Sequence, residues 1–178
     1  MTSSGRDNAT DASIDARGVR VGVVTSAYHG EITAALETGA VEAFVASGGV
    51  AEDLVRIDSP GAFELVAIAA ALAARDDLDA VVALACIVRG ETRHDRFLAS
   101  AVANGLASIS AERRKPVSFG VLTVERLRQA RERAGGGKGN KGREAMLAAI
   151  GAARAIEAIR GNAAGSPSRS DAAQAVRR

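Results

Sequence analysis

The sequence predicts an α/β protein, a three-layer α/β/α sandwich built on a four-stranded parallel sheet. Val-rich runs alternate with Ala-rich stretches of helical character, the apolar run at 80–88 is unbroken, and polar loops fall at the same end of successive strand-like runs. At 178 residues and 47% hydrophobic composition, the chain supports one core and would be cramped as two domains. The apolar content is mostly Ala, Val, Leu and Ile. Tyr28, Phe44, Phe63, Phe97 and Phe119 are the aromatics and there is no tryptophan, so helices are expected to pack closely over small side chains.

The first strand is expected over 20–25, breaking at Ser26-Ala27-Tyr28-His29-Gly30 before a helix over 31–46 that Gly48-Gly49 stops. A second strand over 54–58 turns at Ser59-Pro60-Gly61 into a helix over 62–74, with Pro60 suited to a helix start. The run 80–88 reads as a central strand covered on both faces. A polar loop, Arg89 to Asp95, leads to a helix ending near 113. A fourth strand at 117–124 precedes an Arg-rich helix over 125–133, glycines and lysines fill 135–142, and a last amphipathic helix runs to about 158. This order is that of a flavodoxin-like sandwich, in which ligands sit beyond the carboxyl ends of the strands. Residues 1–18 and 161–178 are polar and aperiodic, and are expected to be flexible tails on a domain spanning 19–160.

Composition removes several function classes. No window is long and apolar enough for a membrane span and the N-terminus has no apolar signal core, so a soluble, cytoplasmic protein without a membrane partner is expected. Cys86 is the single cysteine, which rules out an internal disulfide and reads as a small core hydrophobe. His29 and His94 lack a third ligand at metal-binding spacing, so no metal is expected. The balance of 23 basic against 21 acidic residues, without aromatic stacking platforms, argues against a nucleic-acid partner.

Gly137, Gly139 and Gly142 spell G-x-G-x-x-G, but a helix precedes them where a dinucleotide fingerprint needs a strand. The segment is either a flexible hinge between helices or a device that positions Lys141. Arg126, Arg128, Arg131, Arg133, Lys138, Lys141 and Arg143 crowd the same region. Most belong to a solvated face, although one guanidinium aimed at the sheet rim would hold a phosphate through two parallel hydrogen bonds. Gly90-Glu91-Thr92, between a strand and a helix, offers N–H groups, a hydroxyl and a helix N-terminus to one anion. His94 beside it is either a neutral hydrogen-bonding residue or a proton carrier near neutral pH. Glu64 either complements the start of a helix or accepts hydrogen bonds from polyol hydroxyls. Tyr28 is either a boundary aromatic or a face on which a planar heterocycle stacks.

Four segments occur together: Ser59-Pro60-Gly61-Ala62-Phe63-Glu64-Leu65; Ile87-Val88-Arg89-Gly90-Glu91-Thr92-Arg93-His94; Phe119-Gly120-Val121-Leu122-Thr123-Val124-Glu125; and Glu132-Arg133-Ala134-Gly135 with Gly139-Asn140-Lys141-Gly142. In this order and at these separations, over about 19–157, the chain resembles the 6,7-dimethyl-8-ribityllumazine synthase family. The resemblance implies a transferase of the penultimate step of riboflavin biosynthesis. It condenses 5-amino-6-(D-ribitylamino)uracil with 3,4-dihydroxy-2-butanone 4-phosphate and releases phosphate and water, without metal or organic cofactor. By position, it implies that Tyr28 stacks on the pyrimidine, that Ala62, Phe63 and Glu64 hold the ribityl chain, and that Cys86, Ile87 and Val88 line the ring pocket. Glu91 and Thr92 would bind the butanone phosphate together with Arg133, Lys141 would be a further substrate contact, and His94 would shuttle protons. Phe119 would close the pocket from a neighbouring subunit of a pentamer, or of a pentamer-based shell, since the short 135–142 loop resembles that of shell-forming members.

The sequence also departs from the family pattern. Tyr28-His29 stands where Phe or Trp followed by Asn is common, Val66 where proline is common, and Asp95 where an aromatic follows the histidine. A carboxylate at Asp95 either raises the imidazole pKa or pairs with Arg93 or Arg96. The rival to the enzyme is a catalytically impaired, flavin- or lumazine-binding paralogue of the same fold. An RNA-associated protein using 126–143 is a third reading, one that requires binding steeply weakened by salt.

Overall fold

The computed structural model describes residues 14–164. Strands β1 (Val21–Ser26), β2 (Leu54–Ser59), β3 (Ala80–Val88) and β4 (Val117–Val124) form a parallel sheet in the order β2-β1-β3-β4. Helices α1 (Gly30–Ala46), α2 (Leu65–Ala73), α3 (His94–Arg113), α4 (Leu127–Arg133) and α5 (Lys141–Ala164) cover it. The layers follow from strand alternation, which sends successive side chains to opposite faces. Val21, Val23, Val82, Leu84 and Cys86 join the core under α1, α4 and α5, whereas Val24, Val81, Ala83, Ala85 and Ile87 join the core under α2 and α3.

Central strands need apolar residues at every position because both faces are covered. Accordingly, β1 is buried throughout, β3 is buried up to Ile87, and the edge strand β2 leaves Arg56, Ile57 and Asp58 exposed. Small residues set how near the helices come. A Cβ on Gly120 would stand 2.5 Å from Leu84 Cδ2 and 3.2 Å from Ala145 Cβ, so α5 lies on β4 at a distance only glycine permits. Chain direction reverses about β1: the first crossover leads outward to β2 and the second returns to β3. The crevice above the carboxyl ends of β1 and β3 is therefore the topological switch point.

The predicted bounds of β3 and β4 match the structure, those of β1, α1 and β2 shift by one residue, and larger differences occur elsewhere. The helix expected from 62 begins at Leu65, because Gly61 to Glu64 form a separate turn in which Ser59 Oγ donates to Gly61 O at 2.7 Å. The helix expected from 125 begins at Leu127, since Gln129 Oε1 accepts from the Glu125 and Arg126 N–H groups and Arg126 stays extended. The segment 135–142, read as a hinge or a positioning device, contains a two-stranded hairpin, β5 (Ala134–Gly136) with β6 (Gly139–Asn140). Its turn is made possible by Gly135 and Gly139 at φ of 109° and 75°. Ala16 is fully buried with its N–H on Ser47 O, and α5 continues to Ala164. Residues 1–13 and 165–178 of the two expected tails lie outside the described residues.

A cleft of about 570 Å³ opens at the opposite, amino ends of the strands, lined in part by Ala74, Asp76, Arg114, Lys115 and Arg160. Its cations serve helix C-termini, whose free carbonyls favour positive charge. Lys115 Nζ donates to Arg75 O just past α2, and Arg160 Nη2 donates to Arg114 O just past α3 at 3.0 Å. Burial pushes the Lys115 ammonium below its ordinary pKa.

Candidate active site

The loops that follow β2, β1 and β3 lie side by side on the carboxyl rim because those strands are neighbours in that order. Ser26 and Ser59 are in register, and the Ala27 N–H donates to Ser59 O at 2.8 Å, which joins the first two loops. Ser26 Oγ accepts from the Tyr28 N–H at 3.3 Å. Tyr28 then projects from the rim, 69% exposed, with the His29 ring against its edge at a centroid distance of 5.8 Å. His29 itself adopts the left-handed region, φ 56°, and its carbonyl accepts from the Ile32 and Thr33 N–H groups to start α1. The pattern Tyr28-His29 was legible only as a departure from the family, and the supporting role of the second ring became visible only in three dimensions.

On the β2 side, Ala62 is buried against the α2 core, while Phe63 and Glu64 point outward. On the β3 side the alternation separates the three candidates. Cys86 and Val88 face the α1 side and Ile87 the α2 side, and Cys86 and Ile87 are both buried. Only Val88 among them is partly open, so what this segment offers a planar ring is mainly its carboxyl end. Burial pushes the Cys86 thiol up to about 11, which makes it a packing group with negligible thiolate at neutral pH.

The loop after β3 has the properties of an anion cradle. The Arg89 N–H is taken by Val124 O, but the N–H groups of Gly90, Glu91, Thr92 and Arg93 make no hydrogen bond within the described residues. They precede the N-terminus of the long helix α3, whose dipole favours negative charge. Thr92 Oγ1 accepts from the His94 N–H at 3.4 Å, and the His94 side chain opens to solvent as the first residue of α3. Asp95 pairs with neither Arg93 nor Arg96 among the described residues.

The crowded cations resolve into different tasks. Arg131 reaches Glu31 at the start of α1, at 3.1 Å, and holds that carboxyl below its ordinary pKa. Arg128 pairs with Glu132, and Arg89 with Glu125 across the rim. Arg133 is half-buried, its Nη1 donating to Gln129 O at 3.1 Å, and Lys141 pairs with Glu144. Both belong to the α4/α5 layer, whereas His94 begins a helix of the α2/α3 layer, so one chain places them on opposite sides of its sheet. Phe119 is also remote from its own rim. It pairs with Ala83 on the edge strand β4, five residues before Val124, and is 45% exposed, roughly 16 Å below the strand ends. Tyr28, Ala62, Phe63, Glu64, Val88, Glu91, Thr92 and His94 thus share one rim, and Phe119, Arg133 and Lys141 face elsewhere.

Among the described residues no cluster of His, Cys, Asp and Glu is arranged for a metal ion, and no helix is long and apolar enough to cross a membrane.

Comparison with known proteins places the chain in a family. The family profile described as 6,7-dimethyl-8-ribityllumazine synthase matches residues 18–157. Proteins of that name from Aquifex aeolicus and Thermus thermophilus are 41% and 42% identical over 150 and 146 residues. Those alignments cover 84% and 82% of this chain and 97% and 93% of the relatives. One from Cytophaga hutchinsonii is 43% identical over 129 residues, 72% of this chain and 81% of its own. The chain belongs to the 6,7-dimethyl-8-ribityllumazine synthase family.

Proposed function

We propose that the protein is the transferase that condenses 5-amino-6-(D-ribitylamino)uracil with 3,4-dihydroxy-2-butanone 4-phosphate to 6,7-dimethyl-8-ribityllumazine. The observation that carries this reading is the row of four N–H groups at 90–93, without a hydrogen bond among the described residues, at the switch-point rim before His94 and beside the strand that leads to Tyr28. Tyr28, steadied by His29, stacks on the pyrimidine, and the turn at Ala62, Phe63 and Glu64 holds the ribityl chain. Cys86, Ile87 and Val88 form the strand end against which the ring rests. Glu91 and Thr92 receive the phosphate through main-chain N–H groups.

The chemistry requires placement and proton traffic more than covalent help from the protein. The amine adds to the ketone carbon, and the resulting hydroxyl leaves as water once protonated. Phosphate then departs as a proton is lost from carbon, the resulting enol shifts to a second ketone, and the ribitylamino nitrogen adds there to close the ring with loss of a second water. His94 gives the first proton and accepts the second, so it ends as it began. Fixed positive charge favours the departing anion. The open amides supply part of it. Arg133 and Lys141, on the far side of the same chain's sheet, supply the rest from a neighbouring copy, which also brings Phe119 to close the ring pocket.

A shared site requires an oligomer, and we read it as a pentamer or a pentamer-based shell acting in the cytoplasm. Exposed Phe63, Phe97 and Phe119 support that assembly, since aromatics of this size are usually covered in the working state. Mixing the two substrates with the purified protein tests the activity. Growth of lumazine absorbance and fluorescence is expected. A protein that binds lumazine yet forms none is instead the impaired paralogue.

A further inference from the structure

The loop at 134–142 supplies Arg133 and Lys141 at its two ends, and one side chain fastens it. Asn140 Nδ2 donates to Ala35 O on α1 at 2.8 Å, and its Oδ1 accepts from the Gly142 and Arg143 N–H groups at 2.8 and 3.2 Å. The same amide thus caps α5 and ties it to a helix 105 residues earlier in the chain. The space around it is specified as closely as its bonds. A Cβ on Gly39 would stand 2.3 Å from the Asn140 side chain, and one on Gly142 would stand 1.9 Å from Leu36 O. Asn140 also pairs with Ala134 in the hairpin, and the Lys138 N–H donates to Glu132 O at 2.8 Å. Arg133 is therefore adjacent to a paired residue, and Lys141 is adjacent to the fastener itself.

We propose that Asn140 is a positioning residue, fixing the loop ends from which Arg133 and Lys141 reach the phosphorylated substrate. This rests on the reading of the site given above. The neighbouring hydrogen bonds of Arg133 and Lys141 orient the two side chains only relative to their own helices, through Gln129 and Glu144. Asn140 bonds to Ala35 O on α1 at the Lys141 end of the loop, as Arg131 bonds to Glu31 on the same helix from α4, so these contacts together set where both cations stand against α1.

Two substitutions separate positioning from mere support. Asn140→Asp and Asn140→Ser each keep an oxygen that caps α5 but lose the donor to Ala35 O, and only the first adds charge. Steady-state kinetics with each substrate varied, alongside thermal melts, supply the readout. In both variants KM for the butanone phosphate is expected to rise about fivefold while KM for the ribitylaminouracil stays within about twofold, the size of one hydrogen bond's effect on placement. Lowered melting temperature with both KM values at the wild-type level would overturn the proposal and leave Asn140 a structural cap. A rise confined to the aspartate variant would also overturn it, since charge alone would then explain the change. Wild-type protein that forms no lumazine would remove the site reading and this assignment together, an outcome distinct from an active wild type with unaltered variants.

Discussion

Cys86 and Tyr28 occupy neighbouring strand ends, yet their surroundings give them opposite characters. The tyrosine ring stands in solvent with the His29 ring against it, while its main-chain N–H donates to Ser26 Oγ. The thiol is enclosed, and desolvation raises it from 9.0 to about 11. Between those two values the unfolded chain releases a proton that the folded chain keeps, so stability falls as pH rises from 9 to about 11 and is untouched by this group below pH 9. Denaturant melts across that window are expected to show a shallower decline for Cys86→Ala than for wild type. Equal slopes would mean that the thiol is not shielded as its burial indicates. Sequence alone marked Cys86 as a core residue because it lies within an apolar run. That its neighbour Ile87 faces the other layer follows from strand alternation, and the candidate pocket narrows to the strand end accordingly.

Elements differ in how far their sequence announces them. Strand β3 is apolar over its whole length and its bounds could be read directly, whereas β4 carries Ser118, Gly120 and Thr123 and is delimited by Pro116 before it and Glu125 after it. The hairpin β5–β6 could not be read directly. Its short strands are mostly glycine, with no alternation to reveal them, and its structure depends on Asn140 reaching a helix far back in the sequence. The start of α2 lies three residues beyond the position the sequence predicts, because Ser59 spends its hydroxyl on the turn before the helix. Packing between α1 and α5 supplies a sharp test. Gly142→Ala forces a Cβ onto Leu36 O, a backbone atom with no freedom to yield, and is expected to destabilise by about 2–3 kcal/mol. Gly151→Ala in the same helix meets nothing within 4 Å and is expected to stabilise by up to about 1 kcal/mol. Chemical denaturation of the pair checks both signs. A neutral Gly142 variant would mean that α1 and α5 are not held at this distance.

At the scale of the molecule, the proposed site is incomplete within a single chain. Its rim carries Tyr28, the turn at 62–64, the loop amides at 90–93 and His94, while Arg133 and Phe119 face away. Motif order and the family resemblance implied both sets and gave Phe119 and Arg133 to a neighbouring subunit, but distance along the chain is silent about which layer a helix occupies. Strand register and core composition supply that information: Phe119 lies level with Ala83 rather than with Val88, and α4 packs on the face opposite α3. The central claim is that a working site takes its imidazole from one copy and its guanidinium from another.

Complementation between two crippled variants tests this claim most directly. His94→Ala and Arg133→Ala are each expected to turn over about 10²-fold more slowly than wild type at low butanone phosphate, without loss of fold. When the two are co-expressed and assemble at random, about a quarter of shared sites receive both native residues, so activity should rise far above either parent toward that share of wild type. A mixed assembly no more active than the average of its parents would show that His94 and Arg133 do not meet across protomers, and would contradict the account.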